Sequence, residues 1–95
     1  MKTKYSVLMS IYKKENPKYF VESLDSMVNQ TLLPDEIVIV KDGELTGELE
    51  KIIREYVDRY PELFNIIPLK ENVGLGRALD EGIKYCRNEL VARMD

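Results

Sequence analysis

The 95-residue sequence has no histidine, and its only cysteine is Cys86. Without histidine, these 95 residues contain no histidine general base, no Ser-His-Asp triad and no zinc site built on imidazole. A single cysteine excludes a disulfide within the chain and agrees with a cytoplasmic origin. Cys86 lies on the apolar stripe of a predicted helix, which favours a place in the core over a role as nucleophile.

Long apolar runs and an excess of basic charge are also missing. No run approaches the ~20 residues of a membrane-spanning helix, and the first residues lead into a strand-like segment without the apolar core of a signal peptide. The net charge of −3 provides no basic surface for nucleic acid. Any metal would need oxygen ligands, which favours magnesium or manganese. The composition and length indicate one small globular domain.

The apolar run at residues 37–40 is the strongest feature of the pattern. These four β-branched residues lie between Pro34-Asp35 and Asp42-Gly43, as expected for a strand that is buried on both faces. In open parallel sheets, ligands bind beyond the carboxyl ends of the strands. Asp42 is therefore the first candidate for a ligand-binding group.

Strands and helices alternate along the rest of the sequence. Strands are predicted at residues 5–12, 37–40, 64–69 and 90–94, and helices at about residues 16–30, 46–60 and 74–86. This alternation predicts an α/β fold in which a parallel sheet carries helices on both faces through right-handed crossovers. We expect the strand order 3-2-1-4, as in a Rossmann-like nucleotide-binding unit.

The third predicted helix carries an apolar stripe that we expect to face the sheet. Its members are Leu75, Leu79, Ile83 and Cys86. Gly82 lies near this stripe, and its lack of a side chain would let the helix approach the sheet closely.

With this strand order, the candidate site residues meet at one rim of the sheet. Ser10 and Tyr12 end the first strand, and Asp42 ends the second. Asp95 ends the fourth strand, and Arg77 lies in the first turn of the third helix. An aromatic ring can stack on a base, a carboxylate can accept from a base N–H, and a guanidinium can donate to a base oxygen. Asp95 could hold a ribose hydroxyl or a metal, so these residue types favour a nucleotide site.

Each candidate also has a purely structural interpretation. Tyr12 could pack at a strand end, and an aspartate before glycine, as at position 42, is typical of a turn. Arg77 and Asp95 could simply be solvated. Two non-enzymatic functions stay open as well. A receiver-like signalling domain needs acidic residues after the first strand, where this chain has a tyrosine and two lysines. The other is a complete nucleotide-binding module without transferase activity.

Five motifs in order resemble the beginning of a family 2 glycosyltransferase. They comprise SVLMSIY at 6–12, NP at 16–17 with SMVNQT at 26–31, EIVIVKDG at 36–43, NVGLGRAL at 72–79 and ARMD at 92–95. The resemblance covers the whole chain and is strongest for bacterial exopolysaccharide enzymes of the amylovoran-biosynthesis type. It implies a GT-A fold and the transfer of a sugar from a nucleotide-diphosphate sugar to an acceptor hydroxyl in bacterial polysaccharide biosynthesis.

The resemblance also implies roles for the candidate residues. Tyr12 would lie against the base, Asp42 would accept from it, and Arg77 would contact it, with Ser10 in the same donor site. Asp95 matches the first residue of the metal-associated Asp-x-Asp motif, which implies bound manganese or magnesium in the parent enzyme. The second motif aspartate, the catalytic base and the acceptor half lie outside these residues. We therefore expect residues 1–95 to be an incomplete, N-terminal donor-binding part that is inactive alone.

The expected partners are the donor and a saccharide or lipid-linked acceptor, and no nucleic acid. The expected location is cytoplasmic, with the parent enzyme peripheral at the inner face of the membrane. The fourth strand would leave an open edge beside apolar residues, which predicts self-association as a dimer. The chain departs from many family members at Lys41, where they carry an acidic residue, and at Glu44, where they carry serine.

Overall fold

The computed structural model describes residues 4–94 and has the predicted alternation of strands and helices. Its elements are β1 (Ser6–Ile11), α1 (Pro17–Val28), β2 (Glu36–Lys41), α2 (Gly47–Arg59), β3 (Phe64–Pro68), α3 (Leu75–Ile83) and β4 (Val91–Met94). The strands pair in parallel in the order β3-β2-β1-β4. The predicted fold class and strand order are therefore confirmed.

The two central strands, β1 and β2, separate two apolar layers. The layer under α1 and α2 includes Val7, Met9, Ile37 and Ile39 with residues of both helices. The layer under α3 comprises Leu8, Val38, Val40, Ala78 and Leu79. Because both faces of β2 are covered, its residues 37–40 are at most 1% exposed, as predicted for a strand that is buried on both sides.

The register of β1 and β2 determines what shares the rim. Ser10 pairs with Val40, and the next residue, Ile11, pairs with Lys41. The two strands therefore end at the same level, and the chain leaves the sheet at Tyr12 and Asp42 side by side.

The helices on the first face begin at side-chain caps. Asn16 accepts from two backbone N–H groups of the first turn of α1, and Pro17 takes the first helical position, where its missing N–H is not needed. Between the helices, the hydroxyl of Tyr56 on α2 donates to Asp25 on α1. Burial, together with this bond to Asp25, raises the pKa of Tyr56 to about 12. The contact fixes α1 against α2 and lies outside the predicted site.

A buried polar cluster closes the opposite edge of the sheet, where the strands begin. Glu36 is only 3% exposed and accepts from Ser6 Oγ at 2.7 Å and from the backbone N–H of Arg87. Asn88 Nδ2 donates to Ser6 Oγ at 3.1 Å. These bonds fix the turn between α3 and β4 at the amino end of the sheet, away from the rim that holds Asp42.

The third helix is shorter than predicted. It ends at Ile83 instead of Cys86 because the N–H groups of Tyr85 and Cys86 bond to carbonyls three residues earlier. This tighter bonding is typical of a 3₁₀ turn, so the α-helical ladder stops.

Gly82 is the point at which α3 packs directly on the sheet. A Cβ atom at this position would lie 2.5 Å from Val40 Cγ2 and 2.6 Å from Leu8 Cδ1. The predicted close approach is thus confirmed, and it depends on the missing side chain.

The predicted inward stripe of α3 is wrong for two of its members. Leu75 and Ile83 are each 52% exposed. The helix instead turns its small residues, Ala78 and Gly82, toward the sheet, with Leu79 beside them. Small residues allow a shorter distance between helix and sheet, so the outer apolar residues move to the flanks.

Replacing Gly82 with alanine tests this packing. We expect Gly82→Ala to lower the free energy of unfolding by about 1–2 kcal/mol, because overpacking against Val40 and Leu8 outweighs the gain in helix propensity. Gly76→Ala is the matched control in the same helix, since its added Cβ would meet no atom within 4 Å. Urea unfolding of both variants gives the comparison. Equal stability of Gly82→Ala and the wild type would contradict the close approach.

Candidate functional site

Three of the predicted residues lie at the rim formed by the ends of β1 and β2. Ser10 is half-buried in β1, and Tyr12, which follows the strand, is 45% exposed. Asp42 follows β2, is only 4% exposed, and donates its N–H to the carbonyl of Ile11 at 2.8 Å. The rim therefore combines an accessible aromatic ring with a nearly buried carboxylate.

The carboxylate of Asp42 binds the loop that leads into α3. Its Oδ1 accepts from the N–H of Val73 at 2.7 Å, and its Oδ2 accepts from the N–H of Gly74 at 3.1 Å. The carboxamide of Asn72 donates to Oδ2 at 3.3 Å and to the carbonyl oxygen of Asp42 at 3.2 Å. We call this set of contacts the Asp42 tie.

The Asp42 tie fixes the residues that lead into α3. Gly74, at the N-cap of α3, makes no side-chain cap bond. The carboxylate from the neighbouring strand end binds the backbone N–H groups of Val73 and Gly74, just before the first turn of α3, and places negative charge near the positive end of the helix dipole. Asp42 is thus a structural residue as well as a candidate ligand group.

Gly43 makes this contact possible. Its φ of +87° lies in the left-handed region, which glycine adopts without a steric penalty. A Cβ atom on Gly43 would lie 2.8 Å from the backbone nitrogen of Asn72. Any larger residue here would push the loop away from the end of β2.

The Asp42 tie leaves part of the carboxylate available. An ionised carboxylate offers about four acceptor positions, and the chain's own donors at Asn72, Val73 and Gly74 occupy three of them. The remaining position is on Oδ1. Asp42 can therefore hold the loop and still accept one hydrogen bond from a ligand N–H.

An open concavity of about 410 Å³ lies beside this carboxylate. Its lining residues are Lys13, Asp42, Gly43, Glu44, Leu45, Thr46 and Asn72. The volume falls within the range of small-molecule sites. Lys13, Asp42 and Glu44 give the lining charges of both signs, beside the buried apolar side chain of Leu45.

Arg77 lies in the first turn of α3, as predicted, but it lines a second concavity, of about 530 Å³. Between the two concavities runs the loop before α3, which contributes Asn72 to the first and Val73 to the second. The structure therefore does not bring Arg77 and Asp42 into one concavity. The Asp42 tie holds the separating loop in place.

Asp95, the remaining predicted site residue, lies outside the described residues. Within residues 4–94, no three aspartate, glutamate or cysteine side chains converge as they would around a metal ion. Burial, with a smaller contribution from Glu36, raises the pKa of the Cys86 thiol. This opposes formation of a thiolate, and Cys86 packs, partly buried, against the apolar layer under α3, as predicted for a place in the core.

Lys13, Glu44 and Asn72 reach the first concavity without having been predicted as site residues. Asn72 begins the motif at residues 72–79, but no local pattern places these three side chains in one concavity, because their positions depend on how three chain segments leave the sheet at the same rim.

Lys41 does not line this concavity. Its Nζ lies 2.9 Å from Glu50 Oε2 on α2. This departure from the family pattern therefore contributes an ion pair between β2 and α2.

Comparison with known proteins gives a family model and several relatives. The model described as Glycosyl transferase family 2 matches residues 6–95. An uncharacterized glycosyltransferase of Haemophilus influenzae is 46% identical over 92 residues, which are 97% of this chain and 34% of the relative. The amylovoran biosynthesis glycosyltransferase of Erwinia amylovora is 42% identical over 91 residues, which are 96% of this chain and 34% of the relative.

A third relative is the Escherichia coli UDP-Gal:alpha-D-GlcNAc-diphosphoundecaprenol beta-1,3-galactosyltransferase. It is 42% identical over 94 residues, which are 97% of this chain and 33% of the relative. The chain thus spans about a third of the length of the curated relatives it matches.

A mannosyltransferase from Pyrobaculum calidifontis, solved with GDP-Man and Mn²⁺, has a similar fold. The TM-score is 0.80, with 20% identity, over 96% of this chain and 26% of that chain. The likeness supports the Rossmann-like GT-A arrangement. Within residues 4–94, no helix has both the length and the apolar character needed to cross a membrane.

Replacing Asp42 with asparagine tests the structural part of its role. An asparagine side chain has only one acceptor oxygen, and its NH₂ group would face an N–H donor. We expect Asp42→Asn to lower the free energy of unfolding by about 1–3 kcal/mol. Glu44→Gln, a change of the same type at an exposed neighbour, should leave stability within about 0.5 kcal/mol of the wild type. Urea unfolding that gave both variants the same stability would remove the Asp42 tie as a stabilising contact.

Proposed function

Because this chain belongs to glycosyl transferase family 2, we propose that it binds the nucleotide-diphosphate-sugar donor of a glycosyltransferase. The parent enzyme would transfer the sugar to an acceptor hydroxyl in bacterial polysaccharide biosynthesis. The observation that carries the donor site is the concavity beside Asp42, where a fixed carboxylate keeps one acceptor position. The names of the Erwinia amylovora and Escherichia coli relatives support the class of reaction.

The proposal assigns residues 1–95 to the N-terminal, donor-binding part of the enzyme. The chain spans about a third of its relatives, so the acceptor half and the catalytic base would come from outside these residues. A base there would deprotonate the acceptor hydroxyl.

Each candidate residue has a proposed role at the donor. Tyr12, exposed beside the rim, supplies a stacking surface for the base. Asp42 accepts from a base N–H, and Ser10 lies next to the same donor site. Arg77, exposed on the first turn of α3, contacts the donor from the neighbouring concavity.

We also propose that the enzyme uses manganese or magnesium. The residues at 4–94 form no acidic cluster that could hold the ion alone, so Asp95 would contribute a carboxylate and the donor diphosphate further oxygen ligands. When bound, the ion would neutralise charge on the leaving diphosphate as a Lewis acid. The Mn²⁺ and GDP-Man of the Pyrobaculum calidifontis enzyme support this pairing of metal and donor.

The proposed acceptor is a saccharide or a lipid-linked saccharide. The Escherichia coli relative acts on a diphosphoundecaprenol-linked sugar, which supports the lipid-linked form. A cytoplasmic enzyme that is peripheral at the inner face of the membrane would have access to both the donor and such an acceptor.

Self-association of the chain is a further proposal. β4 pairs only with β1 within the described residues, and Leu90 beside it is 56% exposed. Edge strands with unpaired backbone groups pair readily with other copies. We expect light scattering over a concentration series to find dimers of the 95-residue chain, and Ala92→Lys to reduce them by placing a charge on the exposed edge. A strictly monomeric wild type would contradict this proposal.

Calorimetric titration of the full-length protein with uridine, guanosine and thymidine diphosphates tests the donor site, and Tyr12 provides the sharpest variants. If the ring stacks on the base, Tyr12→Ala should lose about 1–3 kcal/mol of binding free energy, while Tyr12→Phe should bind nearly as well as the wild type. Tyr19→Ala is the control, because Tyr19 is an exposed tyrosine on α1.

Two results of this titration would count against the assignment. A wild-type protein that bound none of the three nucleotides, with or without Mn²⁺, would refute the donor site. A Tyr12→Phe variant as weak as Tyr12→Ala would show that the hydroxyl, rather than the ring, makes the contact.

A further inference from the structure

We propose that Asn72 is a positioning residue for donor recognition. Its carboxamide would hold the Asp42 carboxylate in the orientation in which the remaining acceptor position meets a base N–H. This inference rests on the proposed donor site and adds a residue from outside the set predicted by the sequence.

The carboxamide of Asn72 bridges two parts of the same residue. Its Nδ2 lies 3.2 Å from the carbonyl oxygen of Asp42 and 3.3 Å from Oδ2 of the Asp42 carboxylate. Both partners can only accept, so the NH₂ end of the amide must point toward Asp42. One donor that binds both the main chain and the side chain of Asp42 restricts the side-chain torsions between them.

The other two donors restrain the carboxylate less directly. They are the backbone N–H groups of Val73 and Gly74, which hold one oxygen each and belong to the loop. Without Asn72, Oδ2 would regain a free acceptor position, and unused positions would exist on both oxygens. The carboxylate could then offer a free acceptor position to the ligand on either oxygen, and not on Oδ1 alone. A binding group that is held in place before the ligand arrives loses less entropy on binding.

The loop that carries Asn72 approaches the end of β2 closely because residue 43 is a glycine. A Cβ atom on Gly43 would lie 2.8 Å from the backbone nitrogen of Asn72, so the glycine brings the Asn72 backbone within reach of Asp42. Asn72 also lines the concavity beside Asp42. The contact is therefore formed at the wall of the proposed donor site.

Asn72 is exposed, and the two backbone donors stay in place when its side chain is removed. We therefore expect Asn72→Ala to fold. Titration of the full-length protein with uridine, guanosine and thymidine diphosphates then gives three dissociation constants. We expect the affinity for the best nucleotide to fall about tenfold, or about 1.4 kcal/mol. The affinity for the weakest nucleotide should change less than about twofold, because the base that makes the poorest hydrogen bond to Asp42 depends least on the orientation of its carboxylate.

The ratio of the dissociation constants for the weakest and the best nucleotide distinguishes a positioning role of Asn72 from a purely structural one. A purely structural role of Asn72 would lower the free energy of unfolding and weaken all three nucleotides alike. Asn72→His can place a ring N–H near the position of the amide donor and should restore part of the ratio. Asn65→Ala, a change at an exposed asparagine on β3, should leave the ratio as in the wild type.

The outcomes distinguish this inference from the function on which it rests. A wild-type protein that discriminates between the nucleotides, with an unchanged ratio in Asn72→Ala, overturns the role of Asn72 alone. A wild type that binds all three equally leaves no base preference for Asn72 to maintain, which overturns the positioning role. A wild type that binds none overturns the proposed function itself.

Discussion

The rim of this sheet depends on one buried carboxylate. Asp42 ends the most deeply buried strand and accepts from Asn72, Val73 and Gly74, which lead into α3. A nearly buried carboxylate needs such donors, because an unpaired charge away from water is costly. The same bonds hold Val73 and Gly74 at the entrance of α3, where Gly74 makes no side-chain cap bond. One residue therefore joins the end of β2 to the start of α3 and shapes the concavity beside them.

Two glycines set the distances that this arrangement requires. Gly43 admits the loop at the end of β2, and Gly82 admits α3 onto the face of the sheet. At each position a single Cβ atom would collide with a close neighbour: a backbone atom at Gly43 and the packed side chains of Val40 and Leu8 at Gly82. The two contacts hold α3 at its entrance and along its length. They therefore restrict the position of α3 relative to the rim.

This geometry determines which polar groups the rim offers to a ligand. A carboxylate that is held by three donors keeps one acceptor position, so it can accept one further hydrogen bond. The loop that it binds also divides the rim into two concavities, with Asp42 on one side and Arg77 on the other. The chain belongs to glycosyl transferase family 2. The proposed ligand is therefore a nucleotide-sugar donor that is large enough to reach both concavities.

The sequence by itself determined the alternation of elements, the parallel sheet, the burial of residues 37–40 and the position of Asp42 at the rim, because these follow from local hydrophobic periodicity and turn residues. It also marked Gly82 as a point of close approach. Only the tertiary structure decided that Leu75 and Ile83 face outward, that Asp42 holds the entrance of α3, and that Asn72 reaches Asp42. The two Asp42 contacts join positions about thirty residues apart, and hydrogen-bond partners that meet through packing leave no periodic signal in the chain.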